Sequence, residues 1–183
     1  MSETISTQEQ RSAINCGRLL HLCLGGSPDR LSCLGNEETR SQLVGTMNQY
    51  SARLPTVFVV NDRANLAVEL ARHNPNVPVL KSARRSALDI NGIDSYLKNA
   101  DTVVLTGLET SYEIYATAAE LATFGVWNLL IPEHAVADRH SNTHGACLHI
   151  LAHGYKDSVA ILPQAEASIL LVPASPTSNS KAA

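Results

Sequence analysis

The sequence predicts an α/β fold, a three-layer α/β/α sandwich around a central, mainly parallel sheet of about six strands. Two observations lead to this prediction. Short blocks rich in Val, Leu and Ile alternate with longer windows that have helical spacing. Residues 101–131 have the pattern of a strand, a turn, a helix and a second strand. Because this helix is long enough to cross over a sheet, the two strands should be parallel neighbours in a Rossmann-related arrangement.

Apolar blocks and helical spacing define the elements of the first half of the chain. We expect strands at residues 18–24, 56–61 and 79–80. We expect helices at residues 36–52, 65–73 and 90–99. Asn36 is the expected N-cap of the first of these helices. A turn or brief helical start is expected at residues 27–29, and a small basic loop at residues 81–86.

The second half continues the alternation. The central segment should form a strand at 103–105, a helix at 114–122 and a strand at 126–131, with Gly125 ending the helix. After a loop at 132–139, the spacing predicts a helix at 141–153 that Gly154 terminates. A last strand is expected at 159–162, followed by a short helix or edge segment at 165–171. This order of elements suits one domain at residues 18–171.

Composition limits the classes of partner and location. The net charge of −3 and pI near 6.1 give no basic footprint, so we expect neither nucleic acid nor anionic membrane as a partner. No apolar run is long enough to span a bilayer, and residues 1–15 lack a secretory core. We therefore expect a cytoplasmic protein, with a mitochondrial location also open. Residues 1–17 are expected to be flexible and the polar tail 172–183 disordered.

Cysteines and histidines give no metal motif. The four cysteines lie too far apart for a C-x-x-C pair, so reduced thiols are expected. Histidines gather between residues 134 and 153, and His149 and His153 have the i,i+4 spacing of a ligand pair. No carboxylate completes such a set, so exposed histidines are the simpler interpretation. The sequence predicts no metal and no cofactor.

The turn after the first central strand is the expected functional site. In open parallel sheets, ligands bind at the carboxyl ends of strands, where a helix N-terminus offers unpaired N–H groups. Residues 107–113 combine both features. We call this segment the knuckle.

Five short motifs in and after the knuckle carry a resemblance. They are Thr106-Gly107, Leu108-Glu109-Thr110, Ala116-Thr117-Ala118, residues 133–137 and His144. In this order and spacing the chain resembles the isochorismatase-like cysteine hydrolase family over residues 18–171. The resemblance implies the sandwich fold, a small-molecule substrate or ligand, and assembly into a homo-oligomer, a dimer or larger.

The resemblance also implies a catalytic triad of Asp, Lys and Cys, two members of which are substituted. Cys23 lies at the position of the Asp, Lys81 matches the Lys, and Glu113 lies at the position of the nucleophilic Cys. A thiolate at a helix N-terminus would attack a carbonyl carbon while the carboxylate manages the proton. The knuckle residues implied to bind substrate or an oxyanion, often around a cis peptide, are Leu108, Glu109, Thr110 and Tyr112.

Three interpretations of this site remain open. The first is a dead site, in which Thr110 and Glu113 form a capping box and Cys23 is a buried apolar residue. The second is a transposed site, in which Cys23 is the nucleophile beside Lys81 and Glu113 is the acid/base. The third is a module that binds a metabolite or acts only as an oligomer subunit. The predicted function is a hydrolase-fold protein without the ordinary Cys-Asp-Lys mechanism. The alternative is an active hydrolase of C–N or ether bonds with a rearranged Cys23/Lys81/Glu113 site.

Overall fold

A computed structural model describes residues 18–125 and 128–171. Its sheet has seven parallel strands, with six in the order β3-β2-β1-β4-β5-β7 and β6 paired to β4. The strands are β1 (Leu19–Leu24), β2 (Thr56–Asn61), β3 (Val79–Ser82), β4 (Thr102–Leu108), β5 (Asn128–Pro132), β6 (Val136–Ala137) and β7 (Val159–Leu162). The helices are α1 (Pro28–Ser32), α2 (Glu37–Ser51), α3 (Val68–His73), α4 (Asp94–Leu97), α5 (Tyr115–Phe124), α6 (Ser141–Gly154) and α7 (Gln164–Ala167).

Helices cover both faces of the sheet, which confirms the predicted three-layer fold. Alternate residues of each central strand point to opposite faces, so β1 contributes Leu22 to one core and Cys23 to another. The core that contains Leu22 is closed by α4, α5 and α6. The core that contains Cys23 is closed by α1, α2 and α3. A third apolar cluster links α2 to the segment 167–171 on the same face as Cys23.

Most of the predicted elements are present at the expected places. The strand at 56–61 and the last strand at 159–162 have the predicted bounds. The Asn36 side chain caps α2 by accepting a hydrogen bond of 2.9 Å from the Glu38 N–H. The two central strands β4 and β5 are parallel neighbours. Gly125 ends α5 in the left-handed conformation, at φ 65°.

Three predictions needed correction. The helix expected at 90–99 is reduced to α4 because Gly92, at φ 91°, interrupts the helical backbone, and a 3₁₀ turn at Ala87–Asp89 precedes it. Lys81 belongs to strand β3, because β3 extends its pairing with β2 as far as Ser82. The loop expected at 132–139 contains a 3₁₀ turn and the two-residue strand β6, which pairs with the end of β4.

Two glycines bring the ends of β1 and β4 close together beside the knuckle. Gly107 has φ 111°, and a Cβ atom there would lie 2.0 Å from the Leu24 carbonyl oxygen. Gly25 has φ 66°, and its Cβ would lie 2.4 Å from the carbonyl oxygen of Leu108. Both positions therefore require glycine for conformation and for space.

Some expectations concern residues outside this description. The flexible segment 1–17, the tail 172–183 and the first two residues of the strand expected at 126–131 lie outside the described residues. None of the described helices is long and apolar enough to cross a membrane.

Candidate functional site

The knuckle is an irregular turn between β4 and α5. The peptide bond between Leu108 and Glu109 is cis, at the place where the family resemblance implies one. Thr110–Ile114 then forms one π-helical turn that leads directly into α5. Leu108 and Thr110 are fully buried, and Glu109 is 7% exposed. Single π turns inside α-helices recur at functional sites, where they displace side chains from the regular helical positions.

Glu113 points its carboxylate back into the knuckle. Its Oε2 accepts a hydrogen bond of 3.1 Å from the backbone N–H of Glu109. Its Oε1 accepts a hydrogen bond of 2.7 Å from the guanidinium of Arg30, a residue of α1. The Glu113 side chain is only 15% exposed. Both oxygens of the Glu113 carboxylate are therefore bound within the chain.

The environment of Glu113 acts on its pKa in both directions. Burial raises the pKa of this carboxyl above its usual value. The Glu109 N–H and the Arg30 charge oppose that rise, since both favour the ionised form. The net pKa is raised, so burial exceeds these favourable contacts.

A second carboxylate, that of Glu109, lies between two arginines. Arg139 donates to its Oε1 through Nε, at 2.9 Å, and also through Nη2. Arg30 donates to the same oxygen through Nη1 at 3.3 Å. Arg30 thus connects Glu109 with Glu113, and two arginines balance two carboxylates at the start of α5. Partly buried charges are tolerated when they are paired in this way.

Other N–H groups of the knuckle also have partners within the chain. The Ser111 N–H donates to the Asp138 carboxylate at 2.7 Å, and the Tyr112 N–H donates to the Glu109 carbonyl at 3.0 Å. Burial raises the pKa of Asp138, but the Ser111 side chain, the Ser111 and His140 N–H groups and the His144 charge outweigh it, so the pKa is lowered. Carboxylates of the chain thus occupy two N–H donors of the knuckle, those of Glu109 and Ser111.

The expected capping box is only half formed. Glu113 does reach back to a backbone N–H, but this group belongs to Glu109, one residue earlier than predicted. The π turn adds a residue to the first helical turn and so shifts the register. The Thr110 hydroxyl does not reciprocate. It donates to the Ala137 carbonyl at 3.0 Å and therefore accepts from His144 Nδ1 at 2.9 Å.

Cys23 lies inside the core, in the same buried apolar cluster as the knuckle residue Leu108. Its side chain is 0% exposed and packs among Leu31, Met47 and Phe58. Burial raises the pKa of the thiol far above its usual value, and a hydrogen bond with Thr106 lowers it only partly. A thiol in these surroundings stays protonated at neutral pH.

A fully buried histidine, which the sequence did not single out, lies on the same face of β1. His21 Nδ1 is 3.0 Å from the Thr56 hydroxyl, and Nε2 is 2.7 Å from the Thr106 hydroxyl. Because Thr56 donates to the Leu54 carbonyl, it accepts from Nδ1, so Nδ1 carries a proton. Burial lowers the pKa of His21 to about 3.

A small cavity of about 100 Å³ opens beside the knuckle, at the carboxyl ends of β1 and β2. Of the predicted site residues, it brings together Glu113 and Tyr112. Neither Cys23 nor Lys81 lines it, and Lys81 is exposed on the edge strand β3. Its polar lining includes Asn61, Asp62, Ser82, Arg84, Arg85 and Ser86, together with Arg30, Tyr112, Glu113 and Thr117.

The histidines predicted to crowd together have separate surroundings. His149 and His153 stack on the surface of α6 with ring centroids 4.0 Å apart, and His153 Nδ1 contacts the His149 carbonyl. His134 packs against Tyr50, and His144 binds Thr110. Within residues 18–125 and 128–171, no group of three His, Cys, Asp or Glu side chains is placed to hold a metal ion.

Sequence reasoning missed three residues that organise this site: Arg30, Asp138 and Arg139. Arg30 comes directly after the turn or helical start expected at 27–29, and Arg139 ends a segment expected to be a loop. The available signal was charge balance, because a carboxylate pair at a buried helix start requires cations nearby. That signal gives the type of partner but not its position in the chain.

Solved structures with the same architecture include hydrolases. A MAR1 ribonuclease from Caenorhabditis elegans superposes with a TM-score of 0.68 at 19% identity, over 84% of this chain and 80% of that one. YcaC from Escherichia coli, described as an octameric hydrolase of unknown specificity, superposes with a TM-score of 0.68 at 13% identity, over 79% of this chain and 75% of that one. Nicotinamidase PncA from Bacillus subtilis superposes with a TM-score of 0.63 at 15% identity, over 78% of this chain and 99% of that one. No protein-family model and no curated protein sequence matches the chain.

Proposed function

The chain has the isochorismatase-like hydrolase fold, and we propose that it is a pseudoenzyme, a metabolite-binding or oligomeric subunit without the ordinary Cys-Asp-Lys mechanism. One observation carries the proposal. The Glu113 carboxylate occupies the Glu109 N–H and Arg30, which are the groups best placed to stabilise negative charge at the knuckle.

The electrostatics of the knuckle oppose acyl transfer. An oxyanion hole accelerates such a reaction because preorganised donors meet charge that develops in the transition state. Here a permanent carboxylate occupies the Glu109 donor, and a second one, on Asp138, occupies the Ser111 donor. A substrate oxyanion would have to displace one of these carboxylates or lie beside it, and like charges at such distances repel.

Nucleophilic attack by the Cys23 thiol is opposed for a separate reason. Cys23 has no access to the cavity, and burial raises its pKa, so it lacks the thiolate form that attacks a carbonyl. The exposed position of Lys81 on β3 gives Cys23 no cationic neighbour that would lower this pKa. These features support a site from which the nucleophile has been lost.

A turnover assay tests this proposal. We expect the wild-type protein to show no turnover of small amides, nicotinamide among them, above a blank. Glu113→Gln, which removes the charge that occupies the Glu109 N–H and Arg30, should also show none, because Cys23 and Lys81 do not line the cavity. Absence of turnover in both proteins would support the proposal. Turnover by the wild type would overturn it.

The rearranged hydrolase remains the alternative. In it, Glu113 would act as acid/base, and burial, which raises the pKa of this carboxyl, would make it a better proton acceptor than an exposed glutamate. The alternative requires that Cys23→Ser abolish any turnover found in the wild type. Undiminished turnover in that variant would exclude Cys23 as the nucleophile.

Assembly into a homo-oligomer is the second part of the proposal. The chain exposes large apolar side chains at Phe124, at the end of α5, and at Ile150 on α6, 63% and 48% exposed. YcaC shares the fold and is described as an octamer. Light scattering after size exclusion should give a mass of at least two chains, and a monomer at micromolar concentration would contradict this part. A cytoplasmic location belongs to the same proposal and fits the free thiols of Cys23, Cys33 and Cys147.

A further inference from the structure

We propose that the cavity beside the knuckle binds a small monocarboxylate through Arg85 and Arg84. This inference rests on the proposed function, because it takes the cavity as a binding site and names the class of its ligand. The two arginines follow β3 and both line the cavity. They are the cations of the cavity wall that the knuckle carboxylates do not bind.

The loop that carries these arginines is held at both ends. The hydroxyl of Ser82, 8% exposed, accepts from the Arg84 N–H at 3.1 Å and donates to the Arg84 carbonyl at 3.0 Å. Ser86, 6% exposed, accepts from the Leu88 N–H at 3.1 Å. The Ala87 N–H donates to the Thr117 hydroxyl of α5 at 3.0 Å. A ligand that binds here therefore does not have to order the backbone first, which favours affinity.

Arg85 is the central group of this proposed site. It forms no ion pair with any residue in the part of the chain that the structure describes. Its guanidinium lies over the Tyr112 ring, 4.4 Å from the centroid, and this cation–π contact limits the positions of the group. The contact leaves the N–H groups of Arg85 available, and their fork matches the two oxygens of a carboxylate.

Arg84 supplies the second positive charge at the mouth of the cavity. Its contact with Asp89 is 3.4 Å long and its side chain is 73% exposed, so the pair contributes little and leaves the guanidinium accessible. An incoming carboxylate would gain a neighbour without breaking a strong ion pair.

Charge balance favours a monoanion. The lining holds three arginines, Arg30, Arg84 and Arg85, and two carboxylates, Asp62 and Glu113, which leaves one net positive charge. A dianion such as phosphate would exceed this charge and meet repulsion from Asp62. The volume of about 100 Å³ is below the roughly 300–1,000 Å³ of typical ligand pockets, so the ligand is small.

Matched acid and amide probes test the inference. Calorimetric titrations would use propionate with propionamide and benzoate with benzamide, since each pair keeps its shape and differs in charge. We expect saturable binding of at least one carboxylate, with its amide at least tenfold weaker. Equal binding of acid and amide, or no binding of either carboxylate, would overturn the inference. Tighter binding of inorganic phosphate than of both carboxylates would overturn the assignment to a monoanion.

Variants locate the bound carboxylate. Arg85→Gln should weaken binding at least tenfold and Arg84→Gln at least threefold, whereas Arg53→Gln should leave it unchanged. Arg53 is a suitable control because it is exposed at the end of α2 and does not line the cavity. Circular dichroism would confirm that each variant is folded. Unchanged binding in Arg85→Gln would overturn the inference.

The two proposals fail in different measurements. Lack of carboxylate binding would remove the ligand assignment but leave the absence of turnover, and hence the pseudoenzyme, unaffected. Turnover by the wild type would remove the pseudoenzyme even if the carboxylate binds at Arg85.

Discussion

Glu113 fixes a negative charge at the start of α5. The knuckle combines a cis peptide between Leu108 and Glu109 with one π turn, and Glu113 lies within that turn. Its two oxygens satisfy the Glu109 N–H and Arg30 at once. Because these groups are partly buried, their pairing stabilises the start of α5 in addition to any effect on chemistry.

We predict that Glu113→Ala destabilises the fold by about 1–3 kcal/mol, since it leaves a partly buried N–H and an arginine without their acceptor. Urea unfolding measures the free energy directly. Glu120→Ala is the matched control, because Glu120 lies on α5 and forms no ion pair with the described residues. Its effect should stay within about 0.5 kcal/mol. Equal effects of the two substitutions would show that the Glu113 contacts contribute nothing.

His21 makes the stability depend on pH. Its pKa is about 3 in the folded protein and about 6.5 in an unfolded chain. Between these values the unfolded state binds a proton that the folded state does not, so stability falls as pH decreases from about 6.5 towards 3. The slope is at most about 1.4 kcal/mol per pH unit. From pH 7 to pH 5 this one histidine should remove about 2 kcal/mol.

The variant His21→Gln isolates this contribution. It is expected to unfold more easily at every pH, but with a smaller loss between neutral and acidic pH than the wild type. His153→Gln, an exposed change on α6, should keep the wild-type slope. Identical slopes in wild type and His21→Gln, measured by urea unfolding, would contradict the burial of a neutral imidazole.

At the scale of elements, the close approach of β1 and β4 is what shapes the site. Gly25 and Gly107 face the backbone of the opposite strand, and their positive φ angles turn both chains toward the knuckle. This approach sets the distance from α1, which carries Arg30, to the turn that carries Glu113. The position of the ion pair is therefore a consequence of two glycines that take no part in it.

Gly107→Ala should destabilise the protein by about 3 kcal/mol or more, because an added Cβ is strained at φ 111° and overlaps the Leu24 carbonyl. Gly45→Ala is the control. Gly45 lies inside α2 with no atom near the added Cβ, so alanine should stabilise the protein by about 0.5–1 kcal/mol. Thermal unfolding would measure the stability of both variants. If Gly107→Ala leaves the stability unchanged, the two strands can separate at no cost.

The elements were predictable where a local signal determines them. The strand at 56–61 follows from its apolar run, and the start of α2 follows from the Asn36 cap. The helix expected at 90–99 failed because a single glycine, Gly92, outweighed an apolar spacing that extends over it. Strand β6 was missed because two residues carry no periodicity, and only the neighbouring β4 makes them a strand.

The place of the knuckle in the fold was predictable, but its contacts were not. Motif order located the knuckle and Glu113, both of which border the cavity. Which face of β1 each side chain occupies depends on the pleat, and this places Cys23 in the α2 core while Leu24 lines the cavity. Arg30 and Arg139 come from segments far apart in sequence, so their convergence on Glu109 is a tertiary property.

At the scale of the whole molecule, the three layers divide the thiols of residues 18–171 by accessibility. Cys23 lies under α1, α2 and α3, Cys147 is half-buried on α6, and Cys33 is exposed after α1. Reaching Cys23 requires the helices to leave the sheet, which amounts to opening most of the domain. Its reaction with an electrophile therefore reports on global unfolding.

We predict that N-ethylmaleimide modifies Cys33 rapidly in the native protein and Cys23 only at the rate of global unfolding. Mass spectrometry of digested samples would follow each cysteine separately. Urea just below the unfolding midpoint should accelerate modification of Cys23 far more than that of Cys33. Fast native modification of Cys23 would show that the thiol is accessible, and it would favour the rearranged hydrolase.

The Glu113 carboxylate can also be regarded as an intramolecular ligand of the Glu109 N–H and Arg30. A carboxylate four residues along the chain from one of its donors, the Glu109 N–H, has an effective concentration in the millimolar range or above, and the π turn restricts it further. Dissolved anions at cellular concentrations must compete with that value. Occupancy of the knuckle by Glu113 should therefore be insensitive to the ionic medium, whereas an untethered ligand on the solvent-facing arginines of the cavity exchanges freely with it.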